Sequence, residues 1–237
     1  MQQLNFKLYF EKSSETFNVS SYVEYARLLL SHYTHDKLAA KKIRAVVAEL
    51  ENLSKTIPSY AIFNAIGTGY KILARMSKGA DHSKNMLHAF RAYEHAYNSG
   101  KQAGVDNTMY ALSNAFMLGI ALQDKKLQLP DISELEWSFN NIKAFDNTLT
   151  FWDLMDEPRY WLCKFVMQHQ GFVFPHGNVK VKAETVIDAW KKVVKTGGME
   201  TQQNEMIAKF ASMVTFFDPK KFSKLRPKLD QMMDALK

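Results

Sequence analysis

The chain is 237 residues long, 46% hydrophobic and 23% charged, with a formal net charge of +7. That length buries an ample core, as one large helical domain or two small ones, and the balance is that of a soluble globular protein. No apolar run approaches a membrane span, the opening Met1 to Lys7 lacks a signal-peptide core, and a single cysteine, Cys163, excludes an internal disulfide. The expected setting is the cytoplasm, with no membrane partner. The lysine surplus suits an acidic partner or a nucleic-acid backbone, and equally suits plain solubility.

At the start, Leu4, Phe6, Leu8 and Phe10 alternate with Asn5, Lys7, Tyr9 and Glu11, a strand-like period of two. A lone strand has no partner in a helical chain. Residues 1–19 are therefore expected as an extended N-terminal arm, or as a strand that pairs with another copy. A helical domain over residues 20–237 follows. Ser21 and Glu24 form a capping box ahead of Tyr22, Tyr25, Leu28 and Leu29. The next helix, over 36–53, carries Leu38, Ile43, Val46, Val47, Leu50 and Leu53 on one face. Pro58 and Ser59 then stop the chain and cap a third helix. Its partner is expected over 83–98, with residues 75–83 as an extended connection and with Gly100 and Gly104 in the loop beyond. Helical patterns continue over 108–122, from Pro130 to Phe145, from Pro158 to His169, over 183–195 and 200–217, and on to the C-terminus. Residues 147–155 read as a short turn or helix, and the aromatic run 171–177 as a tucked-in loop. Nine or ten helices with short connectors make an all-α stack of antiparallel pairs.

The third and fourth helices carry the most informative pattern: Phe63, Ile66, Gly67 and Tyr70 on one, and Ala89, Tyr93 and Ala96 on the other. Large, small and aromatic residues three and four apart share a stripe. Gly67 allows a close approach, and Ala89 and Ala96 flank Tyr93 as a knob. The pattern resembles the hairpin of a tetratricopeptide-type repeat, with a longer connection than the usual unit of about 34 residues leaves. With the following run from Tyr110 to Gly119, residues 35–215 resemble the tetratricopeptide-like TRAFs-binding domain family. Pro158 to Trp161, and Val186, Trp190 and Val193, look like a degenerate later unit. Residues 108–114 depart from the family's Tyr-Pro-Gly-Ile-Asn run. The resemblance implies a scaffold that binds other proteins, with no catalytic residues to carry over.

Candidate chemistry is sparse. His88 and His95 lie seven apart on one helix, and His32 and His35 near Asp36, short of a metal-ligand set. Arg91 and His95 invite comparison with small helical ribonucleases, an Arg holding phosphate beside a His acid or base. Gly67-Thr68-Gly69 lacks the context of a phosphate loop. Asp153, Asp156 and Glu157 suit a helix N-terminal dipole. Cys163 reads as a core thiol. Lys220, Lys221, Lys224, Arg226 and Lys228 flank an apolar stripe of Phe222, Leu225, Leu229, Met232 and Leu236, so they read as its solvated side. No metal or cofactor is expected.

The expected function is a non-catalytic scaffold that takes a segment of a partner protein into a helical groove. Residues off the hairpin stripe should line that groove: Asn64, Thr68 and Lys71 on one helix, Asn114 and Met117 on a later one. The alternatives are an RNA-cleaving enzyme using Arg91 and His95, and nucleic-acid binding through the basic C-terminal helix.

Overall fold

The computed structural model describes residues 19–32, 39–105, 107–144, 154–175, 179–195 and 200–236. Among them the chain forms helices and no strand. In chain order these are α1 (Val19–His32), α2 (Ala39–Thr56), α3 (Tyr60–Met76), α4 (Gly79–Gln102), α5 (Met109–Leu122), α6 (Ile132–Ala144), α7 (Asp156–His169), α8 (Ala183–Lys195), α9 (Glu200–Val214) and α10 (Arg226–Asp234). None of them is long and apolar enough to cross a membrane. Residues 1–18, read as most of an extended arm, lie outside the described residues.

Each helix follows from its own pattern. Ser59 caps α3 by accepting the Ile62 N–H at 3.4 Å. In α2 the residues Ile43, Val46, Val47 and Leu50 form a buried stripe, and in α8 Val186, Ala189, Trp190 and Val193 do the same. Helix α5 is apolar all round, and every residue from Met109 to Ala121 except Tyr110 is buried. A helix of that composition has to be an interior element. Around it grows the larger core, from α3 to α10, while a second core joins α1, α2 and α3 and is closed by Ala92 of α4.

From α1 through α8, helices adjacent in sequence pack on each other, α3 and α4 most extensively, and α9 packs on α10. Contacts also skip one element: α1 meets α3, and α5 meets α7. Lys71 of α3 bonds Asn114 of α5. So α3 packs against α1, α2 and α4 and reaches α5 through Lys71, while α5 packs against α4, α6 and α7.

Three local expectations change. Ser21 lies inside α1, which already starts at Val19, so it cannot act as the N-cap. The connection expected over 75–83 is mostly helix, since only Ser77 and Lys78 separate α3 from α4. Gly79, with φ of +58°, turns the chain there. The carbonyls at the end of α3 are satisfied by Ser77 Oγ on Leu73 at 2.8 Å and by the His82 ring on Ala74 at 2.7 Å. Gly100 belongs to α4 and not to a loop: a Cβ there would stand 2.8 Å from Thr108 and from Tyr60. Residues 147–153 lie outside the described set.

Gly67 is where α3 meets the ring of Tyr93, which a Cβ would approach to 3.0 Å. Tyr93 is wholly buried and held on both sides by its neighbours, so the ring has little room to yield. Gly67→Leu is expected to destabilise the protein by about 1–3 kcal/mol through overpacking, read as a lower urea midpoint at unchanged slope. An unaltered midpoint would mean that α3 and α4 do not depend on this contact.

Candidate functional site

On the face where α3, α5 and α7 adjoin, polar side chains gather in an otherwise apolar interior. Thr68 and Lys71 come from α3, one turn apart, and Arg75 follows one turn later. Tyr93 comes from α4, Tyr110 and Asn114 from α5, and Asp156 and Arg159 from the first turn of α7.

The Lys71 ammonium donates to Asn114 Oδ1 at 2.9 Å and reaches the Tyr110 hydroxyl at 3.5 Å. It also stands 5.5 Å from the centroids of both the Tyr93 and Tyr110 rings, within cation–π range. The Tyr93 hydroxyl lies 3.1 Å from Thr68 Oγ1 and 3.5 Å from the Tyr110 hydroxyl. Asn114 Nδ2 donates to the Tyr110 carbonyl at 2.7 Å, which fixes the amide so that its oxygen faces Lys71. From α7, the Arg159 guanidinium sits 4.9 Å over the Tyr110 ring and bonds Asp156 at 2.7 Å. The other Asp156 oxygen accepts from Asn107 at 2.6 Å, and Asn107 Oδ1 in turn caps α5 at the Met109 N–H. Two buried polar atoms, Asn64 Oδ1 and Arg159 Nε, have no partner among the described residues.

This arrangement acidifies one phenol. Burial alone would raise the Tyr110 pKa, but the charge of Lys71, the Tyr93 hydrogen bond, and the charges of Arg159 and Lys209 outweigh it and push the pKa down to about 6. Burial pulls the Lys71 ammonium below the usual lysine range. Tyr93 moves the other way, held well above the tyrosine range chiefly by burial. Burial likewise carries Tyr60, beside the cluster, up to about 12.

Of the residues expected to line a groove, the structure brings Thr68, Lys71 and Asn114 together, with Asn64 one turn before Thr68 on α3. Asn64, Thr68 and Lys71 are partly exposed. Asn114 is buried and its oxygen is taken by Lys71, and Met117 is a core residue, so neither lines an open surface. The reason is that α5 has no solvent face. Of the hairpin residues, Ala89, Tyr93 and Ala96 are buried, and Phe63 and Tyr70 are half-buried against His95 and His88.

Tyr110, Asp156 and Arg159 were not singled out for this cluster from sequence. Their signal is faint: an Asp and an Arg three apart at the start of a helix. Asp156 does not serve as a free dipole partner, because Arg159 and Asn107 hold it. Glu157 bonds Lys192 instead, and Asp153 lies outside the described residues. Arg91 and His95 are both exposed on α4, and no described contact joins them. Among the described residues no group of three or more His, Cys, Asp or Glu could hold a metal. His35 and Asp36 lie outside those residues.

The electrostatics predict a spectroscopic signature. Groups facing Tyr110 are Lys71 from α3, Tyr93 from α4, Arg159 with its partner Asp156 from α7, and Lys209 from α9. One phenol of the ten should ionise near neutrality, visible as tyrosinate absorbance, and Tyr110→Phe should abolish that step. Lys71→Met should return it toward the usual tyrosine value of about 10. A depressed folded-state pKa favours the phenolate in the folded state, so this stabilisation is complete above about 10 and is lost as pH falls through about 6. A wild-type protein with every phenol titrating above about 9 would contradict this account. No protein-family model, curated protein or solved structure matches this chain, so the role of the cluster rests on its geometry.

Proposed function

We propose that the chain is a non-catalytic protein-interaction scaffold: a tetratricopeptide-like stack of antiparallel helix pairs that takes a segment of a partner protein across its α3–α5–α7 face. The observation that carries this reading is the polar stripe of Asn64, Thr68, Lys71 and Arg75 along α3. Most of that helix is buried, yet this stripe is partly or fully exposed and converges with side chains of α5 and α7. A surface that is polar, fixed by hydrogen bonds and backed by two cores is preorganised, which lowers the ordering cost of binding.

The two rival readings draw less support. A ribonuclease needs its Arg and His to converge on one phosphate, whereas Arg91 and His95 are exposed on α4 and His95 packs by its ring on Phe63, 5.4 Å away. At the basic end, Phe222, Leu225, Leu229 and Met232 are buried, leaving Lys220, Lys221, Lys224 and Lys228 exposed. Arg226 is engaged by Asp230 at 2.9 Å and by the Phe217 carbonyl at 2.9 Å. Asp218 and Asp230 interrupt the positive stretch, so it offers a weaker phosphate track than a continuous basic face.

Capture from a lysate of the native cell should separate these readings. Replacing Asn64 and Lys71 together by Ala is expected to lose the captured protein while helical circular dichroism is kept. Neutralising Lys220, Lys221 and Lys224 to Gln should mainly change salt dependence. If the tail variant alone loses capture, and nuclease treatment also releases the material, binding is to nucleic acid and the scaffold reading fails.

A further inference from the structure

Charge accounting across the same face identifies the chemistry of its ligand, given the scaffold reading. Lys71 has no carboxylate partner among the described residues; its ammonium bonds Asn114 and the Tyr110 hydroxyl. Arg75, one turn further on the same side of α3, is exposed and makes no ion pair among the described residues. Arg159 is 5% exposed and its Nε is unpartnered. The acid of the cluster, Asp156, already has both oxygens bonded, by Arg159 and Asn107. Among the described residues of this face cations thus outnumber carboxylates, and the partly exposed Lys71 and exposed Arg75 can be reached by an anion that completes the balance. We propose that this face binds an acidic peptide segment, seating a carboxylate between Arg75 and Lys71 beside the Tyr110 hydroxyl.

The geometry favours a peptide over a bare anion. Asn64, partly exposed, opens the polar stripe of α3. It lies seven residues before Lys71, about 10 Å along the helix axis, a span of roughly three extended residues. A peptide brings both a carboxylate for the cations and backbone N–H and C=O groups for the partly exposed polar stripe of α3; inorganic phosphate at neutral pH brings mainly acceptors. A guanidinium at Arg75 suits a carboxylate through paired N–H donors, and the Lys71 ammonium supplies a point charge behind it. Without ligand, the acidified Tyr110 phenol is the internal counter-ion. An incoming carboxylate would take over that role, and Tyr110 would recover its proton.

That exchange gives the test its readout. End-capped hexaglutamate is titrated into the intact chain near neutral pH, following tyrosinate absorbance, with hexaglutamine and inorganic phosphate as parallel probes. Hexaglutamate is expected to bind and to lower the Tyr110 phenolate signal, while hexaglutamine does neither. Arg75→Gln, at an exposed position that should leave the fold intact, is expected to weaken binding about fivefold and to flatten its salt dependence. Three outcomes overturn the proposal: equal binding of hexaglutamine, phosphate alone reproducing the Tyr110 change, or binding lost on replacing Lys220, Lys221 and Lys224 while Tyr110 never responds. If lysate capture still depends on Asn64 and Lys71 but hexaglutamate leaves Tyr110 unmoved, the scaffold stands and the acidic ligand falls. If neither depends on this face, both fall.

Discussion

The approach of α3 to α4 at Gly67 is the constraint on which the rest of the interior depends. With no side chain at Gly67, the Tyr93 ring lies flat against the α3 backbone. Its hydroxyl is thereby delivered to Thr68 on one side and Tyr110 on the other. Gly69, two residues on and facing away, admits Val47 of α2 in the same manner, so α3 is clasped from both sides by small-residue contacts. A helix held this tightly presents its remaining stripe in a fixed direction. The position of Lys71 over two aromatic rings is a consequence of backbone packing more than of its own charge.

Among the described residues two lysines, Lys164 and Lys71, enter the interior and are treated differently. Lys164 of α7 pairs with Glu136 of α6 at 3.2 Å, with both side chains under 10% exposed, and also lies 4.5 Å over the Phe174 ring. In that pair each charge has its opposite, although Glu136 Oε2 is left without a partner among the described residues, and its effect is to fix α6 against α7. Lys71 has no such carboxylate among the described residues. Its environment is assembled from the Asn114 amide, the Tyr93 and Tyr110 ring faces and the acidified Tyr110 hydroxyl, the one group there that can carry the opposite charge. The same side-chain type is a structural tie in one place and an open valence in the other.

Helix positions were largely legible in the sequence because the apolar periods are strong: Val186, Trp190 and Val193 mark α8 at once, and the expected bounds of 183–195 match it. Boundaries failed where a side chain replaced a conventional signal. The turn at 77–78 is held by Ser77 and His82 on α3 carbonyls, which no local periodicity announces. Gly100 looked like punctuation, yet it is a contact point with Tyr60, some forty residues earlier. The cluster was half visible. Asn64, Thr68 and Lys71 stand off the apolar stripe by spacing alone. Tyr110 and Arg159 join them only because α5 and α7 cross there, a tertiary fact with no local pattern. Asn114 misled for a related reason: in an all-buried helix, a polar residue faces a partner and not water.

Cys163 has a consequence of a different kind. It is the sole thiol of the chain, fully buried near the middle of α7, and burial holds its pKa well above the usual thiol range. A thiol reagent can therefore reach it only through opening of the helix that carries Arg159 and Lys164. Alkylation under native conditions becomes a clock for excursions of α7, running independently of absorbance and requiring no engineered label.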